Sequence, residues 1–530
     1  MANRSVPLPL RHNIGFRPST SAGLYGNSRA AEFLRDVRSG ADSLDIITIG
    51  DSNAGSPSTC GHTLGLRAAC ENMGMMVYAT PLQFPASTDA ATGNNRMSGL
   101  HGAYNFMFWT GNSQSGSTGA ISTLEQQVDL EAEPGIASDL LDAVNYSQPY
   151  AVPTAANTAF SGSGQLRPCG FGYGAAYLSS GSYTSAANGS SIRIYPRSPL
   201  VMGGGGGAQN LQYRVVYGTF TSGSGQFTMK AMHSVNTVVA SKAVNTNSGQ
   251  YGSATETLDF TSVNTTATQI EPRIMICAYD GYNTGSGNFT GPACVFWHSV
   301  IRKETKGFSL TNLMYNGGYS TTQIYSVLNV RQGLVKMVLK ELRERQIAAG
   351  GSGRVLLFCN SGINGPDTAN SWTTNAANIR DIFTTQWNAL GYPANDLAFI
   401  FSVTHPSDPS VPADNNWSTN RPAIANAAND WGLANRNDGK NVVVFDIAAW
   451  FPASRLLAQN LYDPYQATAL TTPAPYAAHL RAAPNHTISV GSPDLANQYF
   501  ASNSLYDLLL PDNGYLQVNQ AMVTALLSSI

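Results

Sequence analysis

Ser43–Gly50 reads SLDIITIG, Asp51–Gly55 reads DSNAG, and Gly61–Asn72 reads GHTLGLRAACEN. The first run is short, apolar and closed by glycine, the pattern of a buried strand. The last carries its apolar residues at helical spacing. The DSNAG between them is a strand-to-helix turn. Such a turn sets its side chains at the carboxyl end of a parallel sheet, where α/β folds build their sites. The strand needs parallel partners, and the fold is decided by where the chain supplies them.

They come only in the second half. Phe308–Met314 reads as a strand and Gln332–Ile347 (QGLVKMVLKELRERQI) as an amphipathic helix. Strands follow at Arg354–Cys359, Leu397–Val403 (LAFIFSV) and Val442–Phe445, separated by helices at Thr373–Leu390 and Arg421–Trp431, with a last helix at Gln517–Leu527. Alternation of strand and helix means a parallel sheet with helices on both faces. The densest charge cluster, Lys336–Arg345, reads as the solvated face of its helix. The middle of the chain has another texture. From about Gly164 to Lys303, runs such as Leu211–Tyr217, Gln226–Met232, Gln269–Tyr279 and Cys294–Val300 read as short strands between Gly- and Ser-rich turns, as in an antiparallel sandwich or jelly roll. Tyr213, Tyr217, Tyr279, Tyr282 and Trp297 belong to this part and read as core, with sugar stacking the other use of such rings. From Tyr78 to Ala159 only a helical patch near Leu124–Val144 stands out. The expected organisation is an N-terminal arm (1–25), an α/β domain in two parts (26–80 and 306–530), an irregular segment (81–163) and a β-sandwich insertion (164–305).

The 530 residues are 12% charged and 42% hydrophobic, with a net charge of −2. An ordinary soluble chain carries about 25% charged residues. There is apolar surface for real cores, so whole-chain disorder is excluded. The charge balance excludes a basic nucleic-acid binder, and no apolar run approaches the roughly 20 residues of a membrane span. Cys60, Cys70, Cys169, Cys277, Cys294 and Cys359 show no metal-ligand spacing, and no cofactor or metal is expected. Cys359, inside an apolar run, reads as a buried thiol.

Three segments carry a resemblance. Ile47–Asn53 (ITIGDSN) resembles the first block of the SGNH (GDSL-like) hydrolases, esterases on a flavodoxin-like three-layer fold. The resemblance makes Ser52 the nucleophile position. Asn312–Gln323 (NLMYNGGYSTTQ) resembles the second block and implies Gly318, or Gly317 next, as a backbone donor to the oxyanion hole. Leu356–Asp367 (LLFCNSGINGPD) resembles the third, implying Asn364 as the side-chain donor, with Asn360 as the other candidate. A serine at a helix N-terminus, with a backbone N–H and an amide converging on it, would stabilise a tetrahedral oxyanion, each donor by about 3–4 kcal/mol.

The fourth block departs from the pattern. The family places Asp-x-x-His before its last helix; here Asp507–Tyr515 reads DLLLPDNGY, with Asp507 at the acid position and Leu509 or Leu510 at the base position. Neither leucine takes a proton, and loss of one triad member costs up to about a million-fold in kcat. His405, following the strand Leu397–Val403, is the first substitute, with His479 and His486 behind it. The expected function is therefore a protein on a non-hydrolytic SGNH-like fold that contacts glycans or neighbouring subunits; the alternative is an active carbohydrate O-acyl esterase. The low-charge composition resembles that of extracellular and virion-surface proteins, and Met1–Thr20 lacks a secretory h-region. Together these place the chain in a virus particle, of a tailed phage, or else outside the cell. The partners expected are other virion proteins, further copies of the chain and host surface polysaccharide.

Overall fold

The computed structural model describes residues 23–51, 61–82, 84–85, 104–109, 167–168, 173–178, 191–196, 210–219, 226–234, 237–245, 248, 252–261, 276–280, 293–316, 320–329, 332–361, 367–403, 415–437, 439–447 and 514–529. In chain order the first α/β part holds β1 (Leu24–Gly26), α1 (Arg29–Arg38), β2 (Leu44–Asp51) and α2 (Gly61–Asn72). The insertion holds β3 (Ala79–Leu82), β4 (Phe84–Pro85), β5 (Tyr104–Trp109), β6 (Arg167–Pro168), β7 (Tyr173–Leu178) and β8 (Ser191–Pro196). It continues with β9 (Asn210–Thr219), β10 (Gln226–Ser234), β11 (Thr237–Asn245), β12 (Gly252–Thr261), β13 (Ile276–Asp280) and β14 (Ala293–Arg302). The second α/β part holds β15 (Phe308–Asn316), α3 (Thr321–Asn329), α4 (Gln332–Ala348), β16 (Arg354–Ser361) and α5 (Ala369–Ala389). It ends with β17 (Leu397–Val403), α6 (Asn415–Ala434), β18 (Val442–Asp446) and α7 (Gly514–Ser528).

β2 finds its partners where the sequence supplies them. Among the described residues the α/β part is a mixed sheet in the order β1-β18-β17-β16-β2-β15. All its pairings are parallel except the edge strand β1, which runs antiparallel to β18. Leu24 and Tyr25, assigned from sequence to the arm, thus belong to the sheet. Two glycines let β1 settle: a Cβ on Gly26 (φ +146°) would lie 2.2 Å from the Val442 carbonyl oxygen, and one on Gly432 2.3 Å from that of Tyr25. Every residue of β17 and β18 is buried, as an unbroken apolar strand requires when both faces are covered.

Strand alternation sorts the layers. Ile47, Ile49, Leu357, Cys359, Phe399 and Phe401 face one way, into a core shared with α3, α4, α5 and α6. Thr48 and Phe358 face the other way, onto α2, through Thr63 and His62. α7 packs on α2 and α1 on that same side. Cys359 is buried, as expected.

The described insertion strands form two antiparallel sheets, β11-β10-β13-β8-β5 and β12-β9-β14-β7-β4, and the chain passes back and forth between them. Its first and last strands pair, Ala79 opposite Ile301. One bridge, Val77 to Phe308, joins this entry point to the parallel sheet. β4 and β5 lie inside the segment read from sequence as irregular. β9 is buried on both faces: Leu211, Tyr213, Val215 and Tyr217 on one, Gln212, Arg214 and Val216 on the other. The second face meets α4. Val216 joins the α/β core, and Arg214 makes a two-pronged ion pair with Glu341, Nε to Oε1 at 2.9 Å and Nη2 to Oε2 at 3.0 Å.

That contact corrects the reading of Lys336–Arg345 as a solvated face. Glu341 and Arg345 are buried, while Lys336 and Lys340 are exposed. The helix is sandwiched between the sheet and the insertion, so Glu341 and Arg345 are paired inward. Arg345 donates to Asp45 at 2.5 Å and to Ser309 at 2.7 Å, and Tyr78 donates its hydroxyl to Asp45 at 2.5 Å. This network lies at the amino end of the sheet and ties the insertion's entry strand to β2.

Candidate functional site

The parallel strands end level at the opposite edge. Asp51 is opposite Asn316, Gly50 opposite Asn360, and Val403 opposite both Ser361 and Asp446. In chain order the parallel strands are β2, β15, β16, β17 and β18, and the neighbours of β2 are the second and third of them. The order therefore reverses between β2 and β16, a topological switch point of the kind where open α/β sheets bind ligands.

Ser52 follows directly on Asp51, Gly317 and Gly318 on Asn316, Asn364 on the end of β16, and His405 on the end of β17. These five residues lie outside the described ones, as do Asp507, Leu509, Leu510, His479 and His486. What the structure brings together is the set of strand ends that lead into the first three blocks. The other amide candidate, Asn360, is described: it is buried in β16 and donates to Ser402 Oγ at 2.6 Å. Tyr213 and Tyr217 are buried, in keeping with a core role.

Between the strand ends and the helices that follow lies a polar cluster built on the buried Ser320, Thr321, Ser361, Asp367 and Asn375. α3 begins in a capping box: the Gln323 side chain accepts from Ser320 N at 2.8 Å, and Ser320 Oγ accepts from Gln323 N at 3.2 Å. Asp367 reaches the same helix start, its Oδ2 accepting from Thr321 N at 2.8 Å and its Oδ1 from Thr322 Oγ1 at 3.3 Å. Thr321 Oγ1 donates to Ser361 Oγ at 3.0 Å, and Asn375 Nδ2 to Thr322 Oγ1 at 2.9 Å. Asn420 of α6 donates to the Asp367 carbonyl at 3.4 Å. The positive pole of α3 is thus already met by the chain's own carboxylate. Asp367 closes the third block as quoted from sequence, yet nothing in that block marks it as a partner of Thr321. The Ser-x-x-Gln spacing at Ser320 was the one local signal available.

On the other face of the sheet, His62 is buried at the start of α2. Its Nδ1 lies 3.1 Å from Asn519 Nδ2 of α7, and its ring meets Phe358 edge-on at 5.8 Å. Burial pulls its pKa down to about 3, against a smaller raising contribution from Asn519. The imidazole is neutral. It links the helix after the first block to the helix after the fourth, and sequence reading gave it no role. Among the described residues no three His, Cys, Asp or Glu gather as metal ligands, and no helix is long and apolar enough to cross a membrane.

No family model and no curated protein matches the sequence. Solved structures give slight likenesses. A C-terminal CBM6 of LamC, a laminarinase from Zobellia galactanivorans, overlaps at 8% identity and TM-score 0.14, over 24% of this chain and 99% of that one. A carbohydrate esterase family 2 enzyme with a carbohydrate-binding domain, from Corynascus thermopiles (Myceliophthora fergusii), overlaps at 9% identity and TM-score 0.18, over 51% and 89%. CBM22-1–GH10 modules of a Clostridium thermocellum xylanase overlap at 10% and 0.16, over 48% and 68%. Nothing is built on overlaps this slight.

Proposed function

We propose that the chain is an SGNH-hydrolase-like protein that binds acylated glycan at the carboxyl edge of its parallel sheet without hydrolysing it. The observation that carries the reading is the common edge at which β15, β2 and β16 end, because Gly318, Ser52 and Asn364 follow those three ends. The strand order, second-first-third-fourth-fifth, is the flavodoxin-like one that the resemblance implies. Leu509 and Leu510 at the base position argue against turnover, since a serine hydroxyl without a base is a weak nucleophile. A place in a virus particle, with other virion proteins and further copies as neighbours, belongs to the same proposal and rests on composition.

The test is direct. Purified protein should neither release 4-nitrophenol from its acetate above background nor take up a fluorophosphonate at Ser52. It should bind an O-acetylated oligosaccharide more tightly than the saponified form. Equal binding of the two would sink the acyl-recognition reading. One observation favours a second reading, an active esterase: β17 pairs with β16 as far as Ser361 and Val403, and His405 follows Val403 by two residues in the sequence. In that case Ser52→Ala and His405→Ala would each abolish acetate release, and the double variant would be no worse than either.

A further inference from the structure

α7 carries no charged side chain and packs on α2 and α1. It supplies no strand, so the pairings of the parallel sheet do not depend on it. Val518, Met522, Val523, Ala525 and Leu526 form its buried stripe, with Asn519 buried beside Val518. A polar contact crosses the seam between α7 and α2: Asn519 Nδ2 lies 3.1 Å from Nδ1 of His62, which is 1% exposed. An amide nitrogen only donates, so Nδ1 accepts and the ring carries its hydrogen on Nε2. The arrangement therefore suits the neutral imidazole. A proton added at Nδ1 would set one N–H against another. Turning the amide over would bring an oxygen but no charge, and a buried cation needs a charge or water to offset its desolvation. Among the described residues the elements around the ring supply neither. β2 brings Thr48, bonded to Thr63, β16 brings Phe358, and β15 holds no charged residue. The titratable groups further along α2 are Arg67, Cys70 and Glu71; Arg67 is itself a cation, paired with Glu71 at 3.4 Å, and Cys70 is a buried thiol. On α1, Arg29 pairs with Glu32 and Asp36 with Arg354, and Arg35 and Arg38 are cations.

We propose that the seam between α2 and α7 is an acid-operated catch: it is closed while His62 is neutral and opens when the ring takes a proton, so that α7 lifts off α2 while the parallel sheet stays folded. The direction follows from burial. In the closed seam burial holds the imidazole pKa at about 3, below the ordinary 6.5, and opening returns the ring to water. Closure is thus fully favoured above pH 6.5 and weakens as pH falls toward 3. Opening uncovers the apolar stripe of α7, so acid turns a covered face into an exposed one. The catch stands apart from the acyl-binding reading, since neither needs the other.

Native-state hydrogen exchange on the full chain tests it, in peptides covering 514–528, with the buried strand 397–403 as the reference. After correction for intrinsic rates, protection of α7 in wild type should fall about 30-fold between pH 7.5 and pH 5, tenfold for each unit below 6.5. Small additions of urea should speed exchange in the reference strand and leave α7 unchanged, because a local opening exposes little surface. His62→Gln should show no such acid loss. Asn519→Asp gives the ring a carboxylate to face, so its α7 should be protected at pH 5 at least as well as at pH 7.5. Three results overturn the proposal: no acid loss in wild type, an equal loss in His62→Gln, or an α7 that follows the reference strand through urea and so opens only with the whole molecule. Should His62→Gln fail to fold, Asn519→Asp decides, and an acid loss there as large as in wild type overturns the catch.

Discussion

His62 is a base that the fold keeps from its proton. Its pKa of about 3 in the folded chain lies below the ordinary histidine value of 6.5, so below pH 6.5 the unfolded chain binds a proton that the folded chain does not. Stability from this group is fully present above pH 6.5 and is lost as pH falls toward 3, by about 1.4 kcal/mol per pH unit. Between pH 6.5 and 5 wild type should therefore lose about 2 kcal/mol more than His62→Gln in urea melts; parallel pH profiles for the two would show that the imidazole is not buried neutral. At this scale the sequence shows residue types and order, which is how Ser52, Gly318 and Asn364 could be picked out. It does not show partners distant along the chain. Asp367 meets Thr321, and His62 meets Asn519, only because the sheet and its helices bring them together. No local spacing encodes either pair.

Elements were legible where one period ruled. Val355–Cys359 in β16, β17 and β18 are apolar runs, and β9 alternates from Leu211 to Val215, so both kinds of strand could be read directly. α5 starts at Ala369 rather than Thr373 because Thr368 and Ser371 form a capping box upstream of the apolar pattern. α6 runs from Asn415 through Pro422, whereas the sequence pattern begins only at Arg421, beside the proline. α1 went unread although Phe33, Leu34 and Val37 are its buried stripe. What no period could reveal is that α4 is covered on its outer side. Its charges look like a solvated face until β9 is laid on it, and then Glu341 has to find Arg214. Arg214→Ala would leave the buried Glu341 carboxylate with only the long Thr255 hydroxyl bond at 3.4 Å in place of its two-pronged partner, a loss of about 3–5 kcal/mol. Replacing both by Met and Leu should cost far less, because desolvation of the pair offsets much of its attraction. A double-mutant cycle by urea denaturation checks this, and additive single losses would mean that the two charges do not act together.

At the scale of the molecule, the insertion enters and leaves through one paired strand end, and among the described residues none of its strands joins the parallel sheet. Ala79 and Ile301 are antiparallel partners, about 4.5–5.5 Å apart at Cα, so about two glycines can replace everything between Ala79 and Ile301. The Arg302 N–H to Tyr78 carbonyl bond and the Tyr78–Asp45 bond would both survive the cut. The shortened chain should still fold, with the helix and parallel-sheet signature retained in far-UV circular dichroism and a single cooperative urea transition. Its midpoint should be lower, because Val216 no longer covers the outer side of α4. The same excision changes the meaning of Glu341. In the full chain its carboxylate is buried and needs Arg214; with the insertion gone it faces water and needs no partner. Glu341→Gln should therefore destabilise the full chain, by removing the near carboxylate of the buried Arg214 and leaving only Glu344 at 4.0 Å, and be nearly neutral in the shortened one. Equal losses in both would mean that Glu341 is held by the α/β half itself. Absence of a cooperative transition in the shortened chain would mean that β9 is part of the α/β core, and that the two parts fold only together.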